Sequence, residues 1–570
     1  MFTLQIINGN MYYAYVNSFT NNQSAYKQKP VRGNFFDTNN NQLTFNDIYF
    51  EIYIDYFKTN YLIKTLSIEK IVDDILESFK LDPEIVLKAL QRSIQTQKNI
   101  LLTTVTQEYL INLTGHIDFS KLPIIFREIH IRKYAYPYVF THVIGYVGKV
   151  SEEILKNDKF YYVDDYVGVY KLEKDLEKYL RGTKFEFDIN NIDYKALPGA
   201  SVYLNINKDW QLSLYNILSH EVSRYNAASG SVIIMENNTG KIRAIVSYDG
   251  INENEFVIGI STEKYNNIAT KRSLPFIDKA ISSGAEPGST FKLITSYALL
   301  ENNVIDVNYH FFSNRCMNIS AHQEFCEYNR YFYGDMNIIR AIYKSSNIFF
   351  CNAMITRGSI EQLIASASLF NIGKLVGIDL SGEFSGVLDS PSNRILQNSR
   401  WYDGDTCNIS IGQGSLLVTP LQMLMVVSAI SNNGKYFQPY VIDKIVDFQN
   451  NILLKNEPKI IKEIPSNNNA FSIINQALQQ SVQNPEAWMY TLHDLPNNVK
   501  GKTGTAEAFE IINGNRIKTT HGWVIGTFEY NNISYAFVVH IKHGIHGSNA
   551  IYVIQKFIDC LNKNFGINCS

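Results

Sequence analysis

The sequence has 570 residues, too many for a single hydrophobic core, so at least two domains are expected. Apolar residues make up 45% of the chain, with 37 Tyr and 33 Phe but only 14 Pro, and this composition excludes a disordered or collagen-like protein. The 52 basic residues are balanced by 54 acidic ones, so no basic surface indicates binding to nucleic acid.

The sequence contains neither a membrane-spanning segment nor a signal peptide. Its best apolar run, residues 416–430, is interrupted by Thr419, Pro420 and Gln422, whereas a spanning helix needs roughly 20 nearly continuous apolar residues. Residues 1–16 lack the basic start, apolar stretch and cleavage site of a signal peptide. Six Cys are too few for a disulfide framework but permit one or two disulfides.

The first part of the chain alternates short β-like runs with charged helical stretches. Residues 48–56 alternate as in a strand, and residues 68–90 have the 3–4 spacing of a helix. Residues 170–180 predict another helix, which ends at Gly182. At the turn formed by residues 197–199 the amino-acid composition of the chain changes. We therefore place a domain boundary between residues 1–196 and residues 197–570.

The second part of the chain predicts a mixed, antiparallel architecture. A strand follows the 197–199 turn, and residues 210–225 predict a helix. Two apolar runs, 229–237 and 240–248, flank the turn Asn238-Thr239-Gly240 and predict a hairpin. Because strands and helices are segregated rather than strictly alternating, the expected fold class is α+β with an antiparallel sheet.

A serine and a lysine stand three residues apart at the start of an apolar helical run. Pro287-Gly288 precedes Ser289, and Lys292 follows one helical turn later, so the lysine amine can approach the serine hydroxyl. A desolvated lysine beside another cation has a lowered pKa and can activate a serine nucleophile. Alone, the pattern says little, because Ser67 and Lys70 have the same spacing in a charged helix that carries no other catalytic feature.

Two further short motifs follow in order. Ser345-Ser346-Asn347 precedes an apolar run, although two loop-like segments at 431–433 and 466–468 match S-x-N equally well. Lys502-Thr503-Gly504-Thr505 contains the single K-T-G of the sequence and predicts the start of a strand, in which Gly504 lets another backbone approach closely. The ordered set S-x-x-K, S-x-N and K-T-G is far more specific than any member of it, and it is typical of penicillin-binding proteins and class A β-lactamases.

With these motifs the sequence resembles the class B penicillin-binding proteins, which are peptidoglycan D,D-transpeptidases, over nearly its whole length. Within that family it is most similar to the elongation-specific penicillin-binding protein 2. The segments that carry the closer likeness are 254–256 with 259–261, 404–406, 409–414 with 418–420, and 543–548. In the N-terminal part, Arg32-Gly33 with Asp37, residues 142–147, and 172–174 before 180–182 resemble the pedestal motifs of the family.

The resemblance implies a fold and a reaction. The fold is a transpeptidase domain, an antiparallel sheet with helices on both faces, preceded by an elongated, non-catalytic pedestal of the dimerisation type. Ser289 would attack the carbonyl between the two terminal D-alanines of a stem peptide, with Lys292 as the base. Ser345 would relay a proton to the leaving amine, and Asn347 would hold the substrate amide and Lys292. No cofactor and no metal are implied.

The K-T-G segment has the remaining implied roles. Lys502, Thr503 and Thr505 would receive the terminal carboxylate of the substrate, and the Lys502 ammonium would help to keep Lys292 neutral. The N–H groups of Ser289 and Thr505 would form the oxyanion hole. The peptide would lie along the strand at Gly504 as an added strand, and an amine from a neighbouring stem would then form the cross-link.

The resemblance also implies partners and a location. The partners would be peptidoglycan stem peptides, β-lactams, a polytopic glycosyltransferase and shape-determining scaffold proteins. Family members begin with a cytoplasmic tail and one anchoring helix, whereas this sequence starts with residues that resemble the segment immediately after that helix. We therefore expect an anchoring helix that precedes residue 1 and a catalytic domain at the outer, periplasmic face of the cytoplasmic membrane.

Alternatives remain at this point. Glu286 before Pro287-Gly288 resembles the division-specific relatives, so a division transpeptidase is one alternative. A D,D-carboxypeptidase, a β-lactamase or a β-lactam-sensing homologue would use the same three motifs, although a hydrolase fits poorly with a long leading domain. A structural homologue that only binds partners is disfavoured, because all three motifs are intact.

The cysteines and histidines allow several interpretations. Cys316 and Cys326 would form a disulfide in an extracytoplasmic domain, remain free, or bind zinc together with His322. Cys351 and Cys407 are expected as buried free thiols. Cys560 and Cys569 would pair or stay free near the C-terminus. His540, His543 and His546 are expected to mark a strand end and the following turn, rather than to form a metal site.

Overall fold

The computed structural model describes residues 30–114, 118–162, 165–184, 196–321, 323–512, 514–544 and 546–563. These residues form two compact units. Of the described residues, the smaller unit contains those within 30–34, 44–135 and 178–200, and the larger contains those within 35–43, 136–177 and 201–563. Among the described helices, none is long and apolar enough to cross a membrane.

The smaller unit has a three-stranded antiparallel sheet covered by helices. Its strand order is Ile100–Thr106, Thr44–Ile54, Ile124–Tyr134. The helices of this unit are Tyr56–Leu62, Ile68–Ser78, Pro83–Thr96 and Gln107–Thr114. Their apolar faces meet the sheet in a core that includes Ile52, Ile75, Phe79, Val86 and Leu90.

Three sequence-based expectations for the N-terminal part of the chain need corrected bounds. The strand predicted at 48–56 spans Thr44–Ile54. The helix predicted over 68–90 is two helices, because Asp82 caps a new one whose first residue is Pro83. Proline fits the first helical position but not the interior. The helix predicted over 170–180 is likewise two short helices, Lys171–Asp175 and Glu177–Leu180, and Gly182 follows with φ +68° as expected of a stop.

The larger unit is built on a five-stranded antiparallel sheet, here called the central sheet. Its order is Lys500–Ile512, Asn515–Tyr530, Ile533–Lys542, Ser229–Glu236, Ile242–Tyr248. The hairpin predicted at 229–248 is confirmed. Lys500–Ile512, which carries the K-T-G motif, is the first strand in this order and so lies at an edge of the sheet.

Both faces of the central sheet are covered, which explains why every residue of Ser229–Glu236 is buried. The helices Lys208–Arg224 and Gly547–Asn562 pack on one set of its side chains through Leu214, Leu218, Ile554 and Phe557. The apolar helix Pro420–Ser431 lies against the inner strands as well. The expected α+β class, with helices on both faces of an antiparallel sheet, is confirmed.

The remaining elements of the larger unit are further helices and minor strand pairs. The helices are Glu152–Asn157, Glu253–Ile258, Thr262–Ala269, Lys292–Glu301, Ile338–Lys344, Asn347–Thr356, Ile360–Leu369, Pro391–Leu396, Asp403–Ser410 and Ala470–Gln483. The minor antiparallel pairs are Phe311–Asn314 with Phe332–Met336, Cys316–Ser320 with Gln323–Cys326, Lys435–Phe437 with Ile460–Glu463, and Val147–Lys149 with Tyr166–Gly168. A further sheet has the order Phe35–Phe36, Ser201–Leu204, Ile442–Val446, Ile452–Lys455.

Candidate active site

Ser289 lies in a 3-10 turn, Gly288–Phe291, directly before the α-helix Lys292–Glu301. Gly288 has φ +52°, a conformation that suits glycine, and its N–H donates to the carbonyl oxygen of Gly412 at 2.8 Å. The Ser289 side chain is half-buried, and Lys292 is fully buried. The turn, hereafter the Ser289 turn, thus presents the serine ahead of the helix that carries the lysine.

The amine of Lys292 reaches the S-x-N motif. Its Nζ donates to the Ser345 carbonyl oxygen and to Asn347 Oδ1, both at 2.7 Å, and lies 3.4 Å from Ser345 Oγ. Two of the three motifs predicted from the sequence therefore meet through direct hydrogen bonds. The competing S-x-x-K at Ser67 and Lys70 is a surface feature, because Ser67 caps a helix and Lys70 pairs with Asp74 at 2.7 Å.

Lys502, the lysine of the K-T-G motif, also contacts Ser345. Lys502 Nζ donates to Ser345 Oγ at 2.9 Å and to the Thr503 carbonyl oxygen at 2.9 Å. The Ser345 hydroxyl consequently lies between two buried amines, which is the arrangement that a proton relay needs. All three motifs occupy one place in the fold.

Burial makes both amines easier to deprotonate. It lowers the pKa of Lys292 to about 7, an effect that the Glu327 carboxylate opposes. Burial also lowers the pKa of Lys502 well below its ordinary value, and repulsion by Lys292 acts in the same direction. Desolvation, rather than the Lys502 charge invoked from the sequence, is thus the main cause at Lys292. A neutral amine is therefore available near pH 7 to accept a proton.

The backbone around Gly504 packs directly on the Ser289 turn. A Cβ placed on Gly504 would lie 2.7 Å from the Pro287 carbonyl oxygen and 3.1 Å from the Thr290 nitrogen, so only glycine fits this approach. Thr505 Oγ1 accepts a hydrogen bond from the Gly547 N–H at 2.9 Å. The K-T-G segment therefore forms one wall beside Ser289.

The S-x-N motif stands at the junction of two helices. Ser345 ends the helix Ile338–Lys344 in the left-handed conformation, with φ +63°. Ser346 then caps the helix Asn347–Thr356 by accepting from the Phe349 N–H at 3.2 Å. This tight junction points Ser345 and Asn347 toward Lys292, whereas the other two S-x-N matches lie at a helix end and in a loop.

One residue at the site was missed by the sequence reasoning. Glu327 is 3% exposed, and its carboxylate accepts hydrogen bonds from the Ser346 hydroxyl and the Asn347 N–H. Glu327 belongs to none of the three motifs. The one feature of the sequence that could have indicated its role is its position directly after Cys326. It adds a buried negative charge that acts on Lys292.

Two disulfides have both cysteines within the described residues. Cys316 and Cys326 form the disulfide that was one of three interpretations, and His322, the third zinc ligand considered, lies outside the described residues. The expectation of free thiols at Cys351 and Cys407 is wrong, because they form a second disulfide with a Cα–Cα distance of 4.4 Å. The helices Asn347–Thr356 and Asp403–Ser410 bring them together. Cys560 is disulfide-bonded, and Cys569 lies outside the described residues.

The C-terminal histidines do not gather as the triplet 540, 543 and 546. His540 lies in the strand Ile533–Lys542, His543 follows in the turn, and both contact His521 with ring centroids 5.5 and 4.7 Å apart. His546 precedes the helix Gly547–Asn562. Among the described residues, the one group with metal-ligand spacing is Cys316, Glu324 and Cys326, and its two thiols are consumed by the disulfide.

Comparisons with known proteins agree with this geometry. Residues 230–554 match the penicillin binding protein transpeptidase domain, and residues 27–189 match the penicillin-binding protein dimerisation domain. The peptidoglycan D,D-transpeptidase MrdA of Haemophilus influenzae is 25% identical over 598 aligned positions, covering 98% of this chain and 88% of the relative. The peptidoglycan D,D-transpeptidase FtsI of Escherichia coli is 28% identical but covers 59% of this chain and 52% of its own.

A solved structure shares the fold over nearly the whole chain. The penicillin-binding protein PBP2 of Helicobacter pylori, in complex with MreC, superposes with a TM-score of 0.77 at 22% identity, covering 94% of this chain and 98% of that one. The first family model alone spans more than half of the sequence and includes all three motifs. The chain therefore belongs to the penicillin-binding protein transpeptidase family.

Proposed function

We infer that this protein is a serine-type peptidoglycan D,D-transpeptidase that cross-links stem peptides during cell elongation and is acylated by β-lactams. The observation that carries this function is the convergence of Lys292 and Lys502 on the Ser345 hydroxyl, with hydrogen bonds of 3.4 and 2.9 Å, beside the Ser289 turn. The set S-x-x-K, S-x-N and K-T-G at one site is typical of enzymes whose active-site serine is acylated by penicillin.

The first half-reaction forms an ester on Ser289. Lys292, whose pKa burial lowers to about 7, in its neutral form takes the hydroxyl proton as Ser289 Oγ attacks the carbonyl carbon between the two terminal D-alanines. The C–N bond breaks, and a proton reaches the departing amine through Ser345, which contacts both amines. D-Alanine leaves, and the stem remains bound as an acyl-enzyme.

The K-T-G strand and the Ser289 turn orient the donor peptide. Lys502, Thr503 and Thr505 receive the terminal carboxylate, and Asn347 holds the substrate amide. The backbone N–H groups of Ser289 and Thr505 stabilise the oxyanion, a contribution of roughly 3 kcal/mol for each donor in comparable enzymes. Because Lys500–Ile512 is an edge strand, the peptide can pair with it as an added strand.

The second half-reaction releases the ester to an amine. The amino group of a neighbouring stem attacks the acyl carbon, gives up a proton to the base, and expels the Ser289 oxygen, which takes a proton back. A new amide links the two stems. Water in place of the amine would give a D,D-carboxypeptidase, so the choice between these outcomes depends on which nucleophile is excluded.

Elongation is favoured over division by the extent of similarity. The MrdA relative aligns with 98% of this chain, whereas the division-named FtsI aligns with 59%. We propose that the chain works with a scaffold protein of the MreC type and with a polytopic glycosyltransferase, because solved relatives are described as a complex with MreC and as a peptidoglycan synthase complex. Cell rounding after depletion supports elongation, and filamentation would point to division.

We propose a location at the outer face of the cytoplasmic membrane. The disulfides Cys316–Cys326 and Cys351–Cys407 suit an oxidising compartment, which agrees with a substrate outside the cytoplasm. We also propose that residues 1–196 form the non-catalytic pedestal and residues 197–570 the transpeptidase domain. Two segments of the proposed pedestal, 35–43 and 136–177, belong to the larger of the two compact units.

A labelled penicillin tests the proposed function. The wild-type protein is expected to be labelled covalently, and Ser289→Ala is expected to lose the label. Ser67→Ala, in the matching surface S-x-x-K, is the control and should label as the wild type does. Labelling that survives Ser289→Ala would refute the assignment, and rapid release of the label would indicate a hydrolase.

A further inference from the structure

A disulfide-closed hairpin lies between the first two catalytic motifs. It is defined here as residues 311–336, the Cys316 hairpin. Its outer strands are Phe311–Asn314 and Phe332–Met336, and its inner strands, Cys316–Ser320 and Gln323–Cys326, pair so that Cys316 is directly opposite Cys326. The disulfide joins these two residues, and Glu327 is the next residue of the chain.

The Glu327 carboxylate accepts hydrogen bonds from four donors. Ser313 Oγ donates to it at 2.7 Å and the Ile348 N–H at 3.3 Å, and the Ser346 hydroxyl and the Asn347 N–H donate as well. Two of these donors are backbone groups of the first turn of the helix Asn347–Thr356, which have no partner within the helix. A carboxylate at this positive helix end is also electrostatically favourable.

The backbone of the Cys316 hairpin also holds the side chain of Asn347. Asn347 Nδ2 donates to the Cys326 carbonyl oxygen at 3.2 Å, while its Oδ1 accepts from Lys292 at 2.7 Å. The Glu327 N–H in turn donates to the carbonyl oxygen of Arg315 at 2.8 Å, the residue directly before the opposite inner strand. The chain of contacts therefore runs from the disulfide to Glu327 and Asn347, and from there to Lys292.

We propose that Glu327, held by the Cys316–Cys326 disulfide, is a positioning residue that orients the S-x-N motif toward Lys292. The inference rests on the proposed acylation of Ser289 but is separate from it, since Glu327 does not touch the reacting atoms. Its buried negative charge attracts the Lys292 ammonium, and its hydrogen bonds fix the position of Asn347. These two actions predict two different measurable effects.

The charge effect has a definite sign. The charged groups that face Lys292 are the Lys502 amine and the Glu327 carboxylate, and Tyr333 faces Glu327 in turn. Glu327 raises the pKa of Lys292 against the larger effect of burial. Acylation needs the neutral amine, so its rate falls as pH drops through this pKa. Removing the negative charge therefore moves the acidic limb of the pH–rate profile to lower pH.

The test compares three variants by the second-order rate constant of acylation with a fluorescent penicillin between pH 5 and 9. Glu327→Gln is expected to lower the rate about 10- to 100-fold, the range for a group displaced by up to about 1 Å, and to shift the acidic limb downward. Glu327→Asp keeps the charge and should lower the rate with the limb near its wild-type position. Glu324 is an exposed residue of the same hairpin, so Glu324→Gln is the matched control. It should change neither the acylation rate nor the position of the acidic limb.

The results separate this inference from the proposed function. If wild-type protein is not acylated, the proposed function fails. If wild-type protein is acylated and Glu327→Gln matches Glu324→Gln in rate and pH limb, the positioning role is overturned. A limb that shifts equally in Glu327→Gln and Glu327→Asp would overturn the charge effect. Should Glu327→Gln not fold, Ser313→Ala removes one donor to the carboxylate and is expected to lower the rate several-fold.

The disulfide is tested by replacing Cys316 and Cys326 together with Ser. The double variant is expected to show part of the Glu327→Gln rate loss, because Glu327 then loses the cross-link that fixes its strand. Treating the wild-type protein with dithiothreitol should reproduce that loss, and the double variant should not respond further. An unchanged rate in the folded double variant would remove the disulfide from the proposal.

Discussion

Replacing Gly504 by alanine tests the packing of the K-T-G strand on the nucleophile. The added Cβ would meet the Pro287 carbonyl oxygen at 2.7 Å and the Thr290 nitrogen at 3.1 Å, and both are backbone atoms that cannot rotate away. Normal non-bonded separation is about 3.5 Å, so the strand and the Ser289 turn must separate by roughly 0.5 to 1 Å. A misplacement of that size costs about 100-fold in rate, close to 3 kcal/mol.

The assay is the acylation rate with a labelled penicillin, measured beside the thermal unfolding midpoint. Gly504→Ala is expected to retain a folded protein while acylation slows by about two orders of magnitude. Gly514→Ala is the control, because it lies at the far end of the same hairpin with φ +79° and no atom within 4 Å of the added Cβ. It should lower stability slightly and leave acylation unchanged. Wild-type acylation by a folded Gly504→Ala variant would refute the close approach.

Three further perturbations follow from buried groups. With the Lys292 pKa near 7, acylation at pH 6 should be about a tenth of its alkaline plateau, and a rate still rising tenfold per pH unit above pH 8 would contradict this assignment. Asp278 accepts from Lys171 at 2.8 Å and both are buried, so Asp278→Asn should destabilise by about 3–5 kcal/mol in chemical denaturation, and adding Lys171→Met should recover part of that loss. Replacing Cys351 and Cys407 with Ala should lower the unfolding free energy by about 2–4 kcal/mol with acylation retained, and an unchanged unfolding midpoint would argue against the disulfide.

Local signals in the sequence were enough for many individual elements. Turn residues between two apolar runs predicted the hairpin at 229–248, and the Gly in K-T-G predicted a close backbone contact. Helix ends were less well defined, since the 3–4 spacing over 68–90 continued through Asp82-Pro83. Asp82 is the N-cap and Pro83 the first residue of a new helix. The sequence therefore contained a local signal for a helix start, but the continuous apolar spacing hid it.

The sequence by itself determined the family, the α+β class and the identity of the three motifs, because these depend on residue types at short spacings. Only the tertiary structure decided which distant groups meet. The Cys351–Cys407 disulfide joins residues 56 positions apart, and Glu327 belongs to no motif yet contacts Ser346 and Asn347. Burial, which gives Lys292 its lowered pKa, is likewise a property of the packed chain, since desolvation comes from neighbours that no local pattern specifies.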